Sequence, residues 1–236
     1  MRLPLIRRIL RKLGYDLVPI RSTWYSHSVQ IKDEFRHLRF GATAIQLLLA
    51  EYRFDTVLDI GSGGGEHTRI FREHGKEVTA VDFGTSIYYE QGNQKGIEII
   101  RGDFNAVVFT SPFDCVWASH ILEHQLNVNL FLKKVHAVLK EGGVLAITVP
   151  PLKNELVGGH VNLWNGGLLL YNLILAGFDC REARVLKYDY NISVIVHKKS
   201  IILPTLSYDA GDIMKLRKFF PEGFSEGMDG DIAWIE

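Results

Sequence analysis

Residues 57–65 read Val-Leu-Asp-Ile-Gly-Ser-Gly-Gly-Gly, and they restrict the fold more than any other stretch of the chain. The apolar run 57–60, broken only by Asp59, has the pattern of a strand buried within a parallel sheet. Gly61, Gly63, Gly64 and Gly65 follow at once, where the chain must turn sharply and let a ligand approach its backbone. Residues 68–74 then have a helical pattern, so the loop leads into a helix N-terminus. In an open α/β sheet, a nucleotide-like ligand sits outside the carboxyl end of such a strand.

Dinucleotide-binding proteins carry G-x-G-x-x-G at this turn, with a pyrophosphate at the helix N-terminus. Here Glu66 stands where the last glycine belongs. A carboxylate in that place repels a pyrophosphate. Together with Asp59, the acidic loop suits a ligand with a positive centre and no phosphates. S-adenosylmethionine, with its sulfonium and amino group, is such a ligand. A second apolar strand, Val78-Thr-Ala-Val-Asp82, ends in a carboxylate one helix and one strand after the glycines. That spacing places Asp82 where an acid accepts both ribose hydroxyls. A third strand over 97–100 is followed by Gly102-Asp103-Phe104. An acid there can accept from the adenine amino group, and Phe83 and Phe104 offer flat apolar faces to the ring. One such acid could simply cap a helix; three at successive strand ends point to a ligand.

The segments VLDIGSGGG, TAVDFG, RGDF, FDCVWASHILEH and LKEGGVLAITVPP occur in that order over about residues 35–200. This set resembles the class I S-adenosylmethionine-dependent methyltransferases, in their small-molecule and glycan-modifying branch. The resemblance implies an α/β fold: a Rossmann-like seven-stranded, mostly parallel sheet with helices on both faces and an antiparallel edge hairpin. It implies S-adenosyl-L-methionine as cofactor, bound by Asp59, Gly61, Gly63, Gly65, Asp82, Phe83, Asp103, Phe104 and Ser119.

Periodicity gives a matching order of elements. A helix is expected within 28–52, burying Phe35, Leu38, Ile45, Leu48 and Leu49. Strands are expected over 56–60, 77–82, 97–100, 113–118 and 143–149, and helices over 66–74, 85–92, 127–139 and 168–175. Two further strands, 183–186 and 192–197, complete the set. Residues 203–236 read as a loop-rich extension with one short helix near 211–219. The chain thus divides into a basic N-terminal extension (1–27), a cofactor-binding domain (28–202) and a C-terminal extension (203–236).

Methyl transfer from a sulfonium is an in-line displacement, and much of its rate comes from holding the acceptor against the methyl carbon. A hydroxyl acceptor gains further from a base. Candidates lie after the fourth strand, in Ser119-His120-Ile-Leu-Glu123-His124. On a helix, residues 120, 123 and 124 share one face. His120 is one base candidate, and His160, in the loop after the fifth strand, is the other. Glu123 supports them, and His124 orients the loop. His67, just past the glycines, is expected at the cofactor loop or in solvent. H-x-x-E-H formally matches a zinc-peptidase pattern, but the nucleotide-binding sheet around it argues against that. Some relatives in the resembled family carry E-x-x-E-H here as part of a metal site. His120 replaces the first glutamate of that pattern, and no metal is assigned.

With 27 Lys+Arg against 27 Asp+Glu, no global field favours nucleic acid. The two cysteines, Cys115 and Cys180, lie in apolar stretches and suggest no disulfide framework, which fits a reducing cytoplasm. No run of about 18 apolar residues is present to span a membrane. Residues 1–13 interleave five basic side chains with leucines and isoleucines at helical spacing. Such a segment suits peripheral contact with an anionic membrane, or docking on the protein's own body. The expected function is methylation, chiefly O-methylation, of a small molecule or a sugar or glycan precursor. The alternatives are a catalytically inactive scaffold in a glycan-assembly complex and a nicotinamide-dependent oxidoreductase.

Overall fold

The computed structural model describes residues 6, 9, 10, 12, 13, 29–92, 95–209 and 211–227. Most of the basic segment 1–13 lies outside the described residues. Seven strands form one sheet: β1 (Thr56–Ile60), β2 (Glu77–Asp82), β3 (Ile99–Arg101), β4 (Phe113–Ser119), β5 (Leu139–Val149), β6 (Arg184–Tyr188) and β7 (Asn191–His197). Their order is β3-β2-β1-β4-β5-β7-β6. Strands β1 to β5 pair in parallel, and β7 runs antiparallel to both β5 and β6. The chain winds outward from β1 to β3 and then returns to place β4 on the other side of β1. That reversal is the switch point at which open α/β sheets bind ligands.

Alternation along the central strands sends side chains to two cores. Leu58, Ile60, Val116, Ala118, Leu145 and Ile147 face α4 (Val128–Val138) and α5 (Gly166–Leu175). Val57, Cys115, Trp117, Val144 and Ala146 face α1 (Ala42–Glu51) and α2 (Glu66–Glu73). Covering both faces is what makes these strands read as near-continuous apolar runs. Both cysteines are buried and unpaired, and burial pushes both thiols up in pKa.

Most expected elements appear within two or three residues of their places. The helix expected across 28–52 does not run unbroken. A 3-10 turn at Asp33–Phe35 comes first, and α1 begins at Ala42. Between them Gly41 adopts φ +68, and a Cβ there would meet the Trp117 ring at 2.9 Å. Backbone conformation and close approach both demand glycine at this position. The helix expected over 85–92 shortens to α3 (Ile87–Gln91).

Near residue 211 the expected short helix is α6 (Asp212–Leu216), continued by a 3-10 turn. Leu216, Phe220 and Phe224 join the core that α4 and α5 cover. The Cys180 N–H also donates to Phe219 O at 3.0 Å. The described part of 203–227 is therefore built into the body of the sheet domain. Among the described residues, no helix is long and apolar enough to cross a membrane.

Candidate active site

The loop between β1 and α2 holds Gly61, Gly63 and Gly65 at φ +74, +52 and +78, where side-chain-bearing residues are strained. A Cβ on Gly64 would lie 2.8 Å from Gly92 Cα, and one on Gly65 would lie 2.5 Å from Ile97 Cδ1. These glycines let the loop pack tightly on the segment around α3, while Gly61 lines the pocket itself.

That pocket opens at the carboxyl ends of β1, β2 and β3. Gly61, Asp82, Phe83, Asp103 and Phe104 line it, as the sequence suggests. Ile121, Gln125 and Phe131 also line it, and sequence reasoning missed all three. They are apolar or neutral, so no charge or spacing signal marks them.

Asp82 is held firmly: Oδ2 accepts from the Gly63 N–H at 2.9 Å and Oδ1 from the Gly84 N–H at 2.7 Å. Asp103 Oδ1 accepts from the Asn105 backbone N–H at 2.8 Å and from its Nδ2 at 3.1 Å. Phe83 is 55% exposed, with its ring free to stack.

Four expected cofactor contacts fall elsewhere. Asp59 is buried behind the loop, accepting from Thr68 Oγ1 at 2.5 Å, and burial raises its pKa to about 7. It anchors α2 to β1 and does not line the pocket. Phe104 is not one of these four: it lines the pocket, although its ring is almost wholly buried, 5.2 Å from the ring of Phe131. Ser119 Oγ is buried without a hydrogen-bond partner near Gly41. Gly63 and Gly65 shape the loop without lining the pocket.

The residues present fit S-adenosylmethionine. Two carboxylates, Asp82 and Asp103, face the pocket, and among the described residues no lysine or arginine lines it to neutralise a pyrophosphate. Ser62 Oγ beside the glycines and Asn105 Oδ1 beside Asp103 are buried polar atoms without partners, as expected where a polar ligand completes the site.

On the far side of Ile121 lies a cluster of imidazoles. The expected helical turn is absent: His120 adopts φ +53, and residues Leu122–His124 form a 3-10 turn. The reason is that the His120 N–H still donates to Thr148 O at 2.9 Å, prolonging the β4–β5 pairing past the strand end. The His120 ring lies on Phe40, with centroids 4.2 Å apart. Its Nε2 is 3.0 Å from Asn191 Oδ1, and its Nδ1 is 3.2 Å from Glu123 Oε1. The Asn191 amide is oriented by the Gly41 N–H on its Oδ1 and by Tyr188 O on its Nδ2. His120 Nε2 must therefore carry a hydrogen.

Glu123 is fully buried, yet neither of its oxygens has a hydrogen bond. His124 Nδ1 donates to Gly159 O at 2.7 Å, which leaves Nε2 3.9 Å from Glu123 Oε1. The His160 ring stands perpendicular to that of His124 at 5.1 Å, and burial pushes its pKa below the usual histidine value. His160 reaches this place because the loop after β5 is pinned to the β4 turn. Val161 N–H donates to Glu123 O at 2.9 Å, and Asn162 Nδ2 donates to Gln125 O at 2.6 Å.

His67 is half-buried, with both ring nitrogens engaged. The Trp117 Nε1–H donates to its Nδ1 at 3.1 Å, and its Nε2 donates to Phe40 O at 2.9 Å. Desolvation lowers its pKa to about 4, so it is a neutral brace beneath the Phe40–His120 stack.

A family profile described as a methyltransferase domain matches residues 58–147, from β1 into β5. The malonyl-[acyl-carrier protein] O-methyltransferase of Enterobacter lignolyticus is 32% identical over 112 residues, which are 47% of this chain and 45% of that protein. The Salmonella typhimurium protein of the same name is 30% identical over 109 residues, 45% of this chain and 43% of the relative. The chain therefore matches about half the length of these curated relatives.

Among solved structures, the Burkholderia thailandensis 1,6-didemethyltoxoflavin-N1-methyltransferase, bound to S-adenosylhomocysteine, superposes with a TM-score of 0.57 at 21% identity. The match covers 71% of this chain and 79% of that one. A SAM-dependent methyltransferase from Archaeoglobus fulgidus gives 0.51 at 17% identity, covering 65% and 94%. Sheet order, glycine loop and strand-end acids agree with these likenesses: residues 58–147 match a methyltransferase domain, and the sheet has the fold of these S-adenosylmethionine-dependent methyltransferase structures.

Proposed function

We propose that the protein transfers a methyl group from S-adenosylmethionine to an oxygen of a small molecule or of a sugar or glycan precursor. When bound, the cofactor supplies a methyl carbon on a positively charged sulfur. Asp82 and Asp103 would hold its ribose and adenine, and a described lining without lysine or arginine suits its positive charge. In the transfer, the acceptor oxygen bonds to the methyl carbon as the carbon–sulfur bond breaks, and the acceptor's proton must leave. The observation that carries the choice of oxygen is the cluster of Glu123, His124 and His160 beside the pocket. A hydroxyl needs help to lose its proton, and an amine needs little. The curated relatives, named as O-methyltransferases, support oxygen as the accepting atom.

Both nitrogens of His120 face fixed neighbours, so it positions Glu123 and is not the group that meets the acceptor. His160 is that group. His160→Ala should lower turnover by about 10²–10⁴-fold with affinity for S-adenosylhomocysteine unchanged. The test is a methyl-transfer screen over nucleotide sugars, lipid-linked glycans, small phenols and malonyl-[acyl-carrier protein]. Transfer to a hydroxyl that depends on His160 supports the reading. Transfer confined to nitrogen overturns it, and cofactor binding without transfer to any acceptor favours a non-catalytic scaffold.

A further inference from the structure

Lys134 stands behind the pocket wall, on the face of α4 that carries Phe131 one turn earlier. Phe131 lines the pocket and packs against the Phe104 ring at 5.2 Å. The Lys134 ammonium lies over the Phe104 and Phe109 rings, 5.2 and 5.9 Å from their centroids. From there Nζ donates to Asn105 O at 2.8 Å and to Val107 O at 2.5 Å. Bonds from an ionised donor are about twice as strong as neutral ones. Partial burial pushes the lysine pKa below its usual value, and the nearby Asp103 carboxylate opposes that shift.

Both carbonyls belong to the turn that presents Asp103. The Ala106 and Val107 N–H groups donate to Asp103 O at 2.8 and 3.1 Å. Asp103 Oδ1 accepts from the Asn105 N–H and from its Nδ2, which is the pattern of an Asx turn. Oδ1 is thus engaged within the turn, and Oδ2 is the oxygen left for a ligand. Asn105 Nδ2 also reaches Gln125 Oε1, at 3.4 Å, in the pocket wall. The turn is therefore tied to the wall on one side and to α4, through Lys134, on the other.

We infer that Lys134 is a positioning residue for the cofactor's base: its ammonium clamps the turn so that Asp103 meets the 6-amino group of adenine. The inference rests on the S-adenosylmethionine reading of the pocket. Lys134 does not line that pocket, so it acts only through Asp103. A carboxylate distinguishes an amino group from a bare ring carbon only if it is held to within about 0.5 Å. Asx bonds fix the start of the turn, and the two bonds from Nζ fix its end. An apolar side chain at position 134 would leave both carbonyls without this donor and free the turn to rock.

Calorimetry on the full chain with two ligands tests the clamp: S-adenosylhomocysteine, and its purine analogue with hydrogen in place of the 6-amino group. The wild type should bind the adenine form at least about tenfold more tightly, as expected for a hydrogen bond to a charged group. Lys134→Met keeps the reach of the side chain and loses its donors. It should weaken the adenine form by about tenfold and the purine form by less than about twofold. Lys134→Arg should restore the selectivity, because a guanidinium can serve both carbonyls. Asp103→Ala should abolish it, and adding Lys134→Met to that variant should change it no further. Equal weakening of both ligands in Lys134→Met would show general support of the fold, and unchanged affinities would show no role; either result overturns the clamp. A wild type that binds both ligands alike overturns it too, since Asp103 then reads no amino group. Lys134→Gln, with one donor on a shorter chain, replaces Lys134→Met if that variant does not fold, with the same selective loss expected. If S-adenosylhomocysteine fails to bind the wild type at all, the cofactor reading itself falls.

Discussion

Asp59 and His67 sit beside the same glycine loop, and burial moves their pKa values in opposite directions, to about 7 and about 4. Folded Asp59 keeps a proton that the unfolded chain has released, so its effect lowers stability as pH rises from about 4 to about 7. Folded His67 has lost a proton that the unfolded chain still holds, so its effect raises stability with pH from about 4 to about 6.5. Asp59→Asn removes the first slope and leaves the second. Urea unfolding at pH 5 and 6.5 should show the variant gaining stability with pH relative to the wild type, by up to about 1.4 kcal/mol per unit. Parallel pH profiles would mean that Asp59 is not held protonated.

Asp82 is the other informative acid. Asp82→Ala should weaken S-adenosylhomocysteine binding by about 1.5–3 kcal/mol, measured by calorimetry, since it removes a charged acceptor. Asp82→Asn should lose less, because one oxygen can still take the Gly63 or Gly84 amide. Unchanged affinity in Asp82→Ala would remove the ribose contact from the account. Asp82 and Asp103 were legible in the sequence because an acid ending an apolar strand has a predictable position. Asp59 was misjudged because one-residue alternation turns it to the back of the loop, where Thr68 meets it. His160 was visible as a base. Its meeting with His124 and Glu123 depends on loop hydrogen bonds that leave no periodic trace.

At the scale of elements, the alternation of strands and helices was legible because both faces of the sheet are covered, giving each strand a short apolar run. Two boundaries were not. The start of α1 is set by Gly41 passing under Trp117, a contact between segments far apart in the chain. Gly41→Ala should cost roughly 2–3 kcal/mol, from left-handed backbone strain and from a methyl group at 2.9 Å from the indole. Thermal unfolding measures this, and a melting temperature within a degree of wild type would refute the contact. The turn after β4 looked helical by spacing, yet the His120 amide stays paired with Thr148 O and forces φ positive. That backbone sends the His120 ring back onto Phe40 and Asn191 and leaves Glu123 Oε1 between His120 Nδ1 and His124 Nε2.

At the scale of the whole molecule, the return of the chain from β3 to β4 opens a place for a ligand, lined by Asp82 and Asp103 and by Ile121 and Gln125, the residues that bracket Glu123 and His124 in the chain. Of the described C-terminal residues, Leu216, Phe220 and Phe224 are buried in the core with α4 and α5, and none of the described residues 203–227 lines that opening. Sequence pattern did not show this, because their apolar residues lack a regular period. The central claim is that the opening takes a positively charged nucleoside and not a dinucleotide. Calorimetry with S-adenosylhomocysteine and NAD on the same preparation tests it most directly. The expected result is binding of S-adenosylhomocysteine in the micromolar range, about −8 kcal/mol, with no saturable heat from NAD. Saturable NAD binding with no response to S-adenosylhomocysteine would contradict it.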